Sequence, residues 1–166
     1  TGYDFDGKYD SNADCEKNLI VKAAEPASYH GIKAKKDNMY DALLRKVESF
    51  SPDLIAISVT ESTFLRGIAL LNNLRFQKKH KILTIIGGVF PTFDPERVFR
   101  EPSIDIVCVG EGDIALIELC ERLRDSKDFH NVPNLWIKRS NGTAIKNITG
   151  PAIDINLLPP LDFSIF

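Results

Sequence analysis

The stretch "TIIGGVFPTF", residues 84–93, decides how the rest of the chain is read. An apolar, β-branched run stops at Gly87-Gly88, and Val89, Phe90 and Pro91 follow. The run reads as a strand, 82–86. Glycine has no Cβ, so the backbone after it can turn sharply and a large planar ligand can approach it closely. The same grammar recurs on either side. "DLIAISV", 53–59, and "IDIVCV", 104–109, are short, nearly continuous apolar runs, the pattern of strands covered on both faces. Helical spacing fills the intervals. Met39, Tyr40, Leu43, Leu44, Val47 and Phe50 recur with a helical period behind Asp37, a candidate N-cap, and Ser51-Pro52 breaks that helix. Phe64, Ile68, Leu71 and Leu74 line one face of a helix from Ser62 to about Lys79. Pro95–Arg100 forms a short helix. Ile114, Ile117, Leu119 and Leu123 form the apolar stripe of a helix over 113–124. Strands alternating with helices imply an α/β fold with a parallel sheet and right-handed crossovers. "NLWIKRSNGTAIKN" then reads as a β-hairpin turning at Asn141-Gly142.

Composition sets the outer limits. The chain has 166 residues, 43% hydrophobic and 27% charged, enough for one domain with a sizeable core. A net charge of −2 gives no electrostatic reason to expect nucleic acid or an acidic membrane, and the lysine clusters at 33–36 and 78–81 read as solvated faces. No stretch reaches the roughly 18–20 apolar residues of a membrane span, and the opening residues carry no signal-peptide pattern. The cysteines, Cys15, Cys108 and Cys120, are too widely spaced for a zinc site or a disulfide framework. Cys108 in a strand and Cys120 in a helix stripe read as buried, reduced thiols of a cytoplasmic protein.

In an open parallel sheet, ligands bind at the carboxyl ends of the strands. The first strand ends in Ser58-Val59-Thr60, the second in Gly87-Gly88, the third in Gly110-Glu111-Gly112. Hydroxyls at the first end can donate to or accept from a ligand edge. The plainer readings are that Ser58 and Thr60 only cap the next helix and that the paired glycine is only a tight turn.

The combination resembles a known family. "SVT" at 58–60, then 26 residues, then "GG" at 87–88 is similar to the S-x-L…G-G pattern of cobalamin-binding domains. "SPDLIAISVT", "IIGGVFPTF", "PERVFREPSIDIVCVGEGD" and "VPNLWIKRSNGTAIKN" resemble, in order, the cobalamin-binding domain that precedes a radical SAM domain. "LLPPLDFSIF" is similar to the linker before that barrel. The resemblance implies a flavodoxin-like (Rossmann-like) doubly wound parallel sheet around a corrinoid. Ser58 and Thr60 would line the pocket of the nucleotide tail, and Gly87 and Gly88 would let the tail lie on backbone. Phe90, Pro91 and the Gly110, Glu111, Gly112 loop would approach the corrin or the tail. Residues 1–36, rich in Asp, Gly, Asn and Lys, read as an irregular segment, and the resemblance, running from about Asp37, implies a partial domain over 37–150 and a linker over 151–166. The first βαβ unit would be missing and the cobalamin site incomplete. Leu19–Val21, a second copy or a swapped strand would cover the bare first strand. The 4Fe-4S cluster and S-adenosylmethionine would belong to the missing C-terminal domain, because no C-x-x-x-C-x-x-C occurs here. The parent would be a methyltransferase or a cyclase.

Two departures qualify the resemblance. Thr60 stands where the pattern has leucine, and the D-x-H-x-x-G loop that supplies a histidine to cobalt in one branch is absent. His30 has no aspartate two residues before it, and His80 and His130 read as solvent-facing. Rival readings remain. Gly110-Glu111-Gly112-Asp113-Ile114-Ala115 fits the dinucleotide pattern G-x-G-x-x-[GA], but Glu111 and Asp113 put negative charge where phosphates would sit. A phosphoacceptor receiver would need an aspartate at the end of the central strand. A ligand-free interaction domain would keep the fold alone. No carboxylate pair, Ser-His-Asp order or Cys-His pair marks a catalytic centre within the chain.

Overall fold

The computed structural model describes residues 38–77, 82–139, 143–160 and 163. Asp37, Leu19–Val21, His30, His80 and the Asn141-Gly142 turn lie outside them. The chain divides into two compact units, 1–50 and 51–166. The described part of the first is helix α1, Met39–Phe50. Asn38 caps it, its Oδ1 accepting from the Tyr40 N–H at 2.8 Å. Val47 is buried, whereas Phe50 is 75% exposed despite its place in the helical period.

The second unit is a five-stranded sheet in the order β1-β2-β3-β4-β5. The strands are β1 (Leu54–Ser58), β2 (Leu83–Gly87), β3 (Ile106–Cys108), β4 (Leu135–Lys138) and β5 (Ala144–Lys146). The first three are parallel, with Ser58 beside Gly87 and Ile86 beside Val107. The expected hairpin is present, but it is not an appendage. β4 pairs antiparallel with β3 and β5 antiparallel with β4, so the sheet is mixed rather than wholly parallel. Among the described residues β1 pairs only with β2.

Helices cover both faces, as in a doubly wound fold. α2 (Glu61–Gln77) follows β1, and α3 (Val89–Phe93) and α4 (Pro95–Phe99) follow β2. Phe64, Ile68 and Leu71 of α2 and Val98 of α4 bury Ile86 and Val107 on one face. α5 (Asp113–Arg124) lies on the other, where Ala115 and Leu119 pack on Ile85, Ile106, Leu135 and Ile137. The inner residues of α2 are those its period predicts. α5 departs from its stripe: Ile114 and Ile117 are each 61% exposed, and Cys120 is exposed rather than buried.

The amino end of the sheet is locked by a polar cluster. Buried Asp105 accepts from the Thr84 backbone N–H at 3.0 Å and pairs with Arg75 at 2.5 Å. A buried carboxylate needs such partners to stay ionised without a large desolvation cost. The carboxyl end is organised differently.

Candidate functional site

Side chains alternate along a strand, so every second residue of β1, β2 and β3 faces α5. Toward the carboxyl ends these residues are small: Ala56 and Ser58, Gly87, then Cys108. A methyl group added to Gly87 would stand 3.5 Å from the Cβ of Cys108, ordinary contact, so nothing in the fold requires glycine there. Its absence instead leaves a trough across three strands. The result is a cleft of about 780 Å³, floored by Ala56, Ser58, Ile85, Gly87 and Cys108. Leu116 and Ile117 of α5 form one wall, and Val89, Thr92 and Phe93 of α3 the other. Gly110, Glu111, Gly112 and Asp113 close one end. The volume lies within the usual range for small-molecule sites.

Gly88 has a different reason. Its φ of 105° lies in the region that favours glycine, and an added Cβ would stand 2.6 Å from the Val59 carbonyl oxygen. The turn it makes starts α3 immediately, and the Phe90 N–H donates back to Val59 at 3.4 Å. Pro91 is compatible with so short a helix because it stands in the first turn. Helical spacing then sorts the segment. Val89, Thr92 and Phe93 face the cleft; Phe90 packs on Phe64, ring centroids 4.8 Å apart, and Pro91 is fully buried. Phe90 and Pro91 therefore sit away from the cleft, and Val89, Thr92 and Phe93 take the places the sequence reading gave them.

Thr60 also lies off the cleft. It caps α2 in place of Ser62: the Thr63 N–H donates to its carbonyl at 3.2 Å, and its own N–H donates to the Thr63 hydroxyl at 2.9 Å. Its hydroxyl is within 3.0 Å of Ser62 Oγ and 3.2 Å of Thr63 Oγ1. Ser58 remains on the cleft, exposed.

The third loop is held from behind by Asn134, which no local pattern flags. Asn134 is buried with φ 68°. Its side-chain amide donates to the Glu111 carbonyl at 2.7 Å, and its Oδ1 accepts from the Gly150 N–H at 2.5 Å. The Thr92 hydroxyl closes the front, donating to the Gly88 carbonyl at 2.9 Å and accepting from the Gly110 N–H at 3.1 Å.

Electrostatics make Cys108 inert. Burial, reinforced by Asp113 and Glu111, pushes its thiol up from an ordinary 9.0 to about 11, so it stays protonated and weakly nucleophilic near neutrality. No histidine lines the cleft among the described residues. His130 lies beyond the carboxyl end of α5, half-buried, stacked on Phe129 and bonded to Asp128. No cluster of three metal-ligating side chains occurs among the described residues. No helix there is long and apolar enough to cross a membrane.

Comparison with known proteins bears on the family and the fold. The family model described as the B12 binding domain matches residues 17–120. Anaerobic magnesium-protoporphyrin IX monomethyl ester cyclase of Synechocystis is 27% identical over 113 residues, 67% of this chain and 22% of that protein. Among solved structures, the cobalamin-dependent S-adenosylmethionine radical enzyme OxsB with aqua-cobalamin and S-adenosylmethionine bound superposes with a TM-score of 0.58 at 21% identity. It covers 68% of this chain and 16% of that one. The radical S-adenosylmethionine methyltransferase TsrM of Kitasatospora setae, with cobalamin and a [4Fe-4S] cluster bound, gives 0.60 at 16% identity over 76% and 24%. The chain thus spans about a fifth of the length of the curated relative.

Proposed function

We propose that this chain, which belongs to the B12-binding domain family, holds the nucleotide tail of a cobalamin in the cleft between α5 and the sheet. The observation that carries this reading is the floor of Ser58, Gly87 and Cys108, which leaves room for a flat aromatic group against backbone. Ser58 offers a hydroxyl to the edge of the tail base. Val89, Phe93, Leu116 and Ile117 supply apolar walls, three of them more than 60% exposed in the free protein. Their burial by ligand would contribute roughly 25 cal/mol per Å² covered. Glu111 and Asp113 suit the amide N–H groups of a corrin and disfavour a dinucleotide pyrophosphate at the start of α5. Bound cobalamin supplies a cobalt centre able to carry a methyl group. The chain's own part is to bind, orient and shield that cofactor.

The greater length of the relatives supports a place within a larger radical SAM enzyme, a methyltransferase or a cyclase. In this reading a radical SAM domain follows the proline-rich segment 151–160 and holds the iron–sulfur cluster and S-adenosylmethionine. A C-x-x-x-C-x-x-C motif downstream of Phe166 in the gene is the expected sign, and its absence would remove that partner.

Ala56 and Ser58 are exposed, and among the described residues no strand flanks β1 on that side of the cleft, so binding should be weak, with a Kd of about 1–100 μM. Titration with hydroxocobalamin, followed by visible absorption, should saturate at one equivalent in that range. Tight stoichiometric binding would refute the open wall, and an unchanged spectrum with an unchanged melting temperature would favour a ligand-free interaction domain.

A further inference from the structure

We infer that Thr92 is a positioning residue: its single hydroxyl sets the spacing of the two glycine loops that form the cleft. The inference rests on the cobalamin reading above for the identity of the ligand, but its geometry does not. Thr92 stands one helical turn after Gly88, on the face of α3 that lines the cleft. Its Oγ1 donates to the Gly88 carbonyl at 2.9 Å and accepts from the Gly110 N–H at 3.1 Å. The two bonds use opposite capacities of one hydroxyl, so each loop is held through the other. The Gly88 carbonyl also accepts from the Thr92 backbone N–H at 3.3 Å, so it keeps a partner without the side chain. The Gly110 N–H would lose its acceptor. Gly110 has φ 88°, and an added Cβ would stand 3.1 Å from Thr149 Cγ2, so the loop is supported behind by Thr149 and tied in front by Thr92.

Among uncharged side chains of this size, only the hydroxyl of serine or threonine donates and accepts strongly through one and the same atom. Valine matches the shape of threonine and carries neither capacity. Thr92→Val should therefore leave α3 packed while freeing the Gly110 loop.

The test compares wild type, Thr92→Val and Thr92→Ser by hydroxocobalamin titration and by amide hydrogen exchange without ligand. In Thr92→Val we expect a Kd raised about tenfold, the worth of one well-made hydrogen bond, with Thr92→Ser within about threefold of wild type. The Gly110 amide should exchange at least about tenfold faster in Thr92→Val alone, with the β2 and β3 amides unchanged. Equal affinity of Thr92→Val and wild type overturns the inference, as does unchanged Gly110 exchange or the absence of rescue by serine. If wild type gives no spectral response to cobalamin, the cobalamin reading fails. Gly110 exchange then decides the hydroxyl bridge by itself, unchanged exchange in Thr92→Val overturning it and faster exchange with serine rescue supporting it.

Discussion

The two faces of the sheet carry the same strands and do opposite things. On the face toward α2 and α4, Ile57, Ile86 and Val107 are large and packed, and Phe64 and Val98 close over them. On the face toward α5, the same strand ends carry Ser58, Gly87 and Cys108, and the helix above turns Leu116 and Ile117 to an open cleft. Strand alternation alone separates the two. A site can thus be cut into one side of a sheet without loosening the other, because removing a side chain at every second position leaves the opposite row intact.

Substitutions should break this contrast unequally. The largest effect belongs to the packed face. Phe64, 2% exposed and packed against Phe90, should cost about 3–5 kcal/mol on change to alanine, read from urea unfolding. An effect below about 1 kcal/mol would mean that this face is not the structural one. Gly88→Ala comes next. It forces a Cβ against Val59 at a positive φ, and a loss of about 2–3 kcal/mol is expected in the same assay.

The third effect depends on pH and concerns the floor. The Cys108 thiol ionises near pH 9 when the chain is unfolded but near 11 when folded, so the unfolded state loses its proton first as pH rises. Stability from this group is therefore intact below pH 9 and falls between pH 9 and 11, by on the order of 2–3 kcal/mol. Cys108→Ala should flatten that alkaline slope in chemical unfolding curves taken across this range. The smallest stability change is expected at Gly87→Ala and Ile117→Ala, within about 1 kcal/mol of wild type, because the first has room for a methyl and the second is exposed. Both should nevertheless weaken cobalamin binding about tenfold, since each alters a surface the ligand would touch. Equal loss of stability and affinity at Gly87 would make it a packing residue like its neighbour.

That pair of glycines also shows how far the sequence could be read. The strand and its arrest follow from local pattern, and so do α2 and its four buried positions. Residues 89–93 do not. A five-residue helix is too short to display a period, so the sequence cannot show that Val89, Thr92 and Phe93 line the cleft while Phe90 and Pro91 turn to the packed side. α5 misled in the other direction. Ile114 and Ile117 fit an inward stripe, yet their apolar character serves an open surface, which periodicity cannot distinguish from a core. β1 reads as covered on both sides, though Ala56 is exposed. Thr60 took the capping role that the plainer reading allowed it. Asn134 was invisible for a simpler reason: its partners lie 23 and 16 residues away along the chain.

Asn134 makes the cleft answerable to the chain that leaves it. One amide group holds the Glu111 carbonyl with its nitrogen and the Gly150 N–H with its oxygen, and Thr149 rests against Gly110. A pull on residues 148–150 is thus felt at the loop that closes the cleft. If filling the cleft orders the Glu111 loop and, through it, residues 148–150, then by thermodynamic reciprocity fixing that segment would tighten binding by the same free energy. The loop that closes the cleft and residues 148–150 are thus tied by three links: the Asn134 side-chain amide, its backbone N–H to the Ile148 carbonyl at 3.0 Å, and Thr149 against Gly110.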